Sequence, residues 1–256
     1  MRILTCVKRV PAPGARINLT EDQRAIDARH LSFTVSPHEE CAVEEGIRLR
    51  EANGGTVTVL TLGPAESEEQ LRYAISVGAD TAELILTDGE EWDPQSTANA
   101  LASRIKDLEA EGEAFDLILF GNESADAGGY QVGIRVAHLL GRPIITGIKG
   151  LQVEQQTVVA RREVESGFEV YRLPLPAVVA VKEGINLPRY PTLPGRLKAK
   201  KAEVANLGPA VGIGGGLQMR MLRTPKEQQT VTTVLGRGAD AAPAVVDLLA
   251  ELGLLR

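Results

Sequence analysis

Apolar and polar positions alternate in blocks over the first two-thirds of the chain. Arg2–Val7 is a short apolar run rich in β-branched residues and reads as a strand. Ser36-Pro37-His38-Glu39 reads as a capping box with proline at the first helical position. Ala42, Val43, Gly46, Ile47 and Leu49 follow at helical spacing until Asn53-Gly54-Gly55. Residues 56–62 (TVTVLTL) form a continuous apolar strand of the kind buried on both faces of a parallel sheet. A helix is predicted from about Ser67 to Val77 with Gly78 as its left-handed cap, followed by a strand over Ala82–Leu86. Asp93-Pro94 opens another helix, whose Ala98, Leu101, Ile105 and Leu108 share one stripe. Leu117–Phe120 is the next strand; Gly121–Gly129 is a loop, and Gln131–Leu140 a helix closed by Gly141. Strands alternating with helices predict an α/β fold with a parallel sheet and right-handed crossovers.

From Gly150 the rhythm changes. Leu151–Val153, Thr157–Val164, Phe168–Tyr171 and Val178–Val181 read as strands with short turns, an antiparallel addition to the sheet. Residues 186–201 (NLPRYPTLPGRLKAKK) hold three prolines spaced three apart and five cationic residues, with no acid between Gly184 and Ala202. Pro188, Pro191 and Pro194 favour extended backbone, so the segment is expected to project stiffly. Gly208–Gly216 is glycine-rich and suits an extended connector. Ala241–Leu255 carries an apolar helical pattern through Val245, Val246, Leu248, Leu249, Leu252 and Leu255, a helix that must dock on something. The boundaries expected are an α/β domain over 1–185, a proline-rich basic segment over 186–201 and a C-terminal arm over 202–256.

Composition narrows the function. With 256 residues and 43% hydrophobic positions the chain can bury a sizeable core, and no run reaches the length of a membrane span. The 28 basic and 34 acidic residues leave a net charge of −6, against the basic face of a nucleic-acid binder. One Trp, four Tyr and four Phe are too few for stacking platforms. Cys6 and Cys41 form no CxxC pair and read as small buried hydrophobes, so no metal site is expected. No signal peptide precedes the first strand, and a cytoplasmic protein is expected.

Two stretches could carry chemistry. In residues 121–133 (GNESADAGGYQVG) a strand runs through a loop with several glycines into a helix N-terminus. That geometry aims unpaired N–H groups and a helix dipole at one spot, which suits a phosphate. Gly128, Gly129 and Gly133 would admit an anion to the backbone, with Gln131 as a further donor. The loop matches neither the Rossmann nor the P-loop fingerprint, and a merely flexible loop is the alternative the residues leave open. In the proline-spaced segment, Leu193 stands among residues that supply no core. Burying it in a partner's pocket would contribute roughly 1.5–3 kcal/mol. Arg189, Arg196, Lys198, Lys200 and Lys201 would steer acidic partners toward it. A solvated basic linker is the plainer alternative. His30 and His138 read as structural or exposed, whereas His38, at a helix start, could face a ligand. No nucleophile–base pair or paired-carboxylate cleft is found, so no catalytic residue is expected and a cofactor would carry any chemistry.

Val7-Lys8-Arg9-Val10, Ser36-Pro37 ahead of Ala42-Val43-Glu44-Glu45, Leu62-Gly63-Pro64-Ala65 and above all residues 186–194 (NLPRYPTLP) with Lys198-Ala199-Lys200-Lys201 resemble the β subunit of electron transfer flavoproteins. The resemblance implies a Rossmann-like sheet of the adenine-nucleotide alpha-hydrolase type. It implies a heterodimer with an α subunit that holds most of the FAD, while the β subunit keeps an AMP that does no redox work. By matching position the AMP would lie against Cys6, the Ser36-Pro37-His38-Glu39 turn, Leu62 and the loop holding Gly121, Asp126, Gly128, Gly129, Tyr130, Gln131 and Val132. Its phosphate would sit near Gly129 to Val132, and His38 falls near the flavin. Leu193 matches the anchor of the loop that docks acyl-CoA dehydrogenases, with Arg189, Tyr190 and the later cations around it. A quinone oxidoreductase would take the electrons, and the arm would reach to the α subunit. Asp126 is followed by Ala127-Gly128-Gly129-Tyr130 in place of the family's usual acidic or Thr/Asn residues. A bifurcating branch with FAD in place of AMP therefore stays open. An ATP-dependent enzyme on the same fold would need a pyrophosphate loop after the first strand, where Val7-Lys8-Arg9-Val10-Pro11 stands.

Overall fold

The computed structural model describes residues 1–112, 114–210, 212, 216–225 and 232–255. The strands are β1 (Arg2–Val7), β2 (Arg9–Pro11), β3 (Phe33–Val35), β4 (Thr56–Gly63), β5 (Thr81–Leu86), β6 (Leu117–Gly121), β7 (Ile144–Glu154), β8 (Thr157–Val164), β9 (Gly167–Pro174), β10 (Ala177–Val181) and β11 (Ala205–Leu207). The helices are α1 (Pro37–Asn53), α2 (Glu68–Val77), α3 (Pro94–Ala110), α4 (Val132–Leu140), α5 (Leu193–Lys201) and α6 (Ala242–Glu251).

Among the described residues nine strands form one sheet in the order β11-β5-β4-β1-β6-β10-β7-β8-β9. From β11 to β7 neighbours run parallel; β7, β8 and β9 continue antiparallel. The continuous apolar strands are those covered on both faces. Ile3, Val7, Val57, Val59, Leu117 and Leu119 pack on one side with Ala42, Val43 and Ile47 of α1 and Leu71 and Ile75 of α2. Leu4, Cys6, Leu60, Ile118 and Phe120 pack on the other with α3 and α4. Each fully buried side chain of this size contributes about 1.5–3 kcal/mol.

This is the Rossmann-like α/β architecture expected. The chain steps from β1 outward to β4 and β5, then crosses back through α3 to β6 on the other side of β1. Its switch point therefore lies between the carboxyl ends of β1 and β6, where open α/β sheets keep their ligands.

Several expectations need correction. Val178–Val181 belongs to the parallel core, as β10 between β6 and β7, because its five residues are buried on both faces. The first half of β7, from Ile144, is interrupted by Gly147 and Lys149, and the edge strand β11 is only three residues long, so neither announces itself. The Ser36 hydroxyl does not cap α1; it donates to the Glu123 carbonyl at 3.3 Å, while the Glu39 carboxyl accepts the Ser36 N–H. Gly78 closes α2 at φ +136°, outside the left-handed helical well.

The largest difference falls in the proline-spaced segment, whose second half is helical. Thr192 caps α5 through the Gly195 N–H, and Pro194 stands in its first turn, where its missing N–H costs nothing. Arg72 of α2 donates to the carbonyls of Ala199 (2.5 Å) and Ala202 (3.1 Å), satisfying the far end of α5. Gly195 is required because any Cβ there would lie 2.1 Å from the Ser76 carbonyl oxygen. In the expected Gly208–Gly216 connector, residues 211 and 213–215 lie outside the described residues. Ala210 before them donates its N–H to Leu86 O at 2.9 Å. The terminal helix forms as α6, and among the described residues it buries none of its side chains.

Candidate functional site

The site is built where β1, β6 and α1 converge. Gly121 ends β6 against the first turn of α1; a Cβ at this position would lie 2.6 Å from Glu39 Cγ, 3.0 Å from Glu39 N and 3.2 Å from His38 Cβ. Only glycine lets the helix start come this close to the strand tip. Glu39 is buried, and its Oε2 accepts the Lys8 N–H at 2.9 Å. Burial pushes the Glu39 carboxyl up to about 8, against the opposing N–H bonds from Lys8 and Ser36 and the Lys8 charge. Burial likewise, with Glu39 nearby, pushes the Cys6 thiol upward, so it is an inert neutral group. Cys6 packs in the core beneath the site, and Leu62, near the end of β4, is half-buried.

Lys8 continues from β1 into the site. Its Nζ pairs with Asp126 Oδ2 at 2.7 Å and Glu91 Oε1 at 2.5 Å, tying the β6 loop to the strand tip. Burial works to lower the Lys8 pKa, but the two carboxylates more than offset it and hold the ammonium charged. Burial works upward on Asp126 too, yet Lys8, Ser124 and the Ala127 N–H keep it below the usual carboxylate range.

Beyond Asp126 the loop turns through two residues of positive φ, Gly128 and Tyr130, both at +54°. Gly129 between them is open, with nothing within 4 Å of a built Cβ. Gln131 does not cap α4; its Oε1 accepts from Arg135 Nε (3.2 Å) and Nη2 (3.0 Å), and Arg135 also donates to Gln95. The N–H groups of the first α4 turn, from Val132, therefore have neither a side-chain cap nor an intrahelical acceptor. His38 points its Nε2 toward Glu123 Oε1, 3.6 Å away, and its Nδ1 is buried with no hydrogen-bond partner among the described residues.

Ser36, His38 and Glu39 at the start of α1 stand against the end of β6 and its loop through Gly121, Glu123 and Asp126, while Cys6 and Leu62 lie on the neighbouring strands β1 and β4. Lys8 and Glu91 join them. Lys8 could have been found from its place immediately after a buried strand, at the edge where ligands bind; Glu91 and Glu123 carry no such signal. The Lys8 charge is already spent on Asp126 and Glu91, so what a nucleotide phosphate would meet is the open backbone at Gly129 and the N-terminal end of α4.

The second group lies elsewhere, against α1 and α2. Leu187, Tyr190, Leu193 and Leu197 are exposed. Arg189 folds back onto Glu44 and Glu51 of α1, and Lys198 donates to the Ala79 carbonyl at 3.1 Å. Arg196, Lys200 and Lys201 stay exposed. Among the described residues no His/Cys/Asp/Glu group could hold a metal ion, and no helix is long and apolar enough to cross a membrane.

Fold and loop together define a Rossmann-like α/β protein whose glycine-containing β6–α4 loop lies at the switch point of the sheet. Comparison with known proteins makes the class specific. The family described as electron transfer flavoprotein domain matches residues 25–211. Electron transfer flavoprotein subunit beta of Bacillus subtilis is 42% identical over 177 residues, 68% of this chain and 67% of its own. The subunits beta of Megasphaera elsdenii (32% over 265 residues, 98% and 97%) and Bradyrhizobium diazoefficiens (32% over 263 residues, 100% of each) match end to end. The chain belongs to the electron transfer flavoprotein family, a family of electron carriers rather than enzymes.

Proposed function

We propose that this chain is the β subunit of a heterodimeric electron transfer flavoprotein that carries electrons from acyl-CoA and related dehydrogenases to a membrane quinone oxidoreductase. When bound, FAD supplies the electron-accepting chemistry, and it is held mainly by the α subunit. The residues of this chain bind and position. The loop Gly121–Val132 takes the phosphate of an AMP on the N–H groups from Gly129 to Val132. Lys8 holds Asp126 so that the loop keeps its shape whether or not the nucleotide is present. The adenosine end lies toward Cys6, the Ser36–Glu39 turn and Leu62, with His38 turned to the flavin side. Leu193, beside Tyr190 and among Arg189, Arg196, Lys198, Lys200 and Lys201, docks the donor dehydrogenase. The arm after Ala202 meets the α subunit through α6.

The observation that supports this most is the open backbone at Gly129 beside the α4 N-terminus, in a chain of this family. A small interface with the donor would suit a redox encounter that must release quickly. The test is co-production with an α subunit. A one-to-one pair that copurifies with flavin absorbance, bleached by an acyl-CoA dehydrogenase and its substrate, is expected. A colourless pair, or a homomer that turns over a small metabolite unaided, overturns the proposal.

A further inference from the structure

The segment that leads into α5 is pinned from below by one helix. Asn186 Nδ2 donates to the Cys41 carbonyl at 3.0 Å and to Glu45 Oε2 at 2.9 Å. Arg189 spreads its fork over two carboxylates. Nε and Nη2 donate to Glu44 at 2.8 and 3.1 Å, while Nη1 and Nη2 donate to Glu51 at 2.6 and 3.0 Å. The Arg189 backbone N–H also reaches Glu44 Oε2 at 3.2 Å, so Glu44 fixes main chain as well as side chain. The Glu44 side chain is only 7% exposed, against 49% for Glu51. A carboxylate that buried is not left without its cation.

On the opposite side of the same few residues, large apolar groups stand in water. Leu187 and Tyr190 are each 90% exposed and Leu193 73%. Ordering side chains at an interface usually costs free energy, and a backbone already fixed lowers that cost. The pinning and the projection occupy one short stretch, so the first serves the second.

We propose that Glu44, aided by Glu51, is a positioning residue for docking of the donor dehydrogenase: its clamp on Arg189 presents Leu187, Tyr190 and Leu193 as a rigid set. Arg189 then acts inside the chain and does not read charge on the partner. This rests on the reading that residues 186–201 receive the dehydrogenase. The two views of Arg189 make opposite predictions. A partner-facing Arg189 would be freed by neutralising Glu44, and docking would hold or strengthen. A clamped Arg189 would lose its anchor, and docking would weaken.

The experiment uses the flavin-loaded α–β pair as substrate for an acyl-CoA dehydrogenase reduced by its acyl-CoA, with the concentration of the pair varied. Glu44→Gln is expected to raise KM for the pair roughly tenfold with kcat within about twofold. Glu51→Gln is expected to raise KM only about twofold, because its carboxylate is exposed. Hydrogen exchange at the amides of Leu187, Arg189 and Tyr190 should quicken in Glu44→Gln and stay unchanged in Leu193→Ala, which nevertheless raises KM. If Glu44→Gln fails to fold, Arg189→Lys serves instead; it keeps a charge on Glu44 but loses the fork, and a KM roughly threefold higher with quickened exchange is expected. An unchanged or lowered KM in the folded clamp variant, with Leu193→Ala still impaired, overturns the clamp alone. Unchanged KM in Leu193→Ala as well overturns the docking reading and the clamp with it.

Discussion

Helices α4 and α6 are both short and rich in apolar residues, yet they meet opposite fates. Helix α4 buries Val136 and Ala137 against the sheet and delivers its N-terminus to the crevice. Helix α6 buries none of its side chains among the described residues; Val245, Val246 and Leu248 are exposed. The difference is not one of sequence character. An apolar helical stripe states that a surface is needed, and only the topology decides whether this chain supplies it. The sheet supplies it for α4. For α6 the surface must come from outside the chain, and the proposed function gives it one on the α subunit, since a face of this kind on a folded chain marks an interaction site.

That contrast can be broken by experiment. The largest effect is expected from Val246→Asp, which places a charge on the face of α6. It should weaken assembly with the α subunit at least a hundredfold, measured by analytical ultracentrifugation, while the chain's own unfolding midpoint hardly moves. If assembly survives, α6 docks nowhere essential. Gly121→Ala strikes the other region. The added methyl would collide with Glu39 at the strand tip, so stability should fall by about 3 kcal/mol in denaturant titrations. An unaltered midpoint would mean that the β6 tip and α1 are not in contact.

The crevice should also respond to pH. Glu39 is raised from 4.5 to about 8 in the folded chain, so between those values the folded state holds a proton that the unfolded state has lost. Its contribution is fully present below about 4.5 and is lost as pH rises through about 8. Stability should fall by roughly 2 kcal/mol between pH 5 and 7 from this group, and Glu39→Gln should remove that slope. Equal slopes in both proteins would show that Glu39 is not the group responsible. The smallest effect belongs to the exposed segment. Leu193→Ala should leave folding and flavin content intact yet slow electron acceptance from a dehydrogenase about tenfold, as loss of one anchor implies.

How much of this was legible in the sequence follows from the same contrast. The buried strands β1, β4 and β6 announced themselves because parallel strands covered on both faces are unbroken apolar runs. The short run in β10 reads alike in a parallel or an antiparallel setting, and only its neighbours β6 and β7 decide. Helix α5 was hidden because Pro194 and Gly195 suppress helix signals and Ala199 alone of its residues is buried, leaving no apolar stripe; the Thr192 cap with proline in the first turn was the cue available. The crevice loop was legible, since a strand, glycines and a helix start follow one another along the chain. The role of Arg189 was not, because Glu44 and Glu51 lie 145 and 138 residues away and no local pattern joins them.

The central claim is that the crevice at the β1–β6 switch point holds a non-redox mononucleotide beside a flavin carried by the partner subunit. Denaturing the copurified α–β pair and quantifying released nucleotides by chromatography tests it most directly. One AMP for each FAD is the result predicted here. Two FAD with no AMP would contradict the AMP assignment and place the pair in the bifurcating branch, and a pair that releases FAD alone at one per dimer would show that the crevice binds no nucleotide at all.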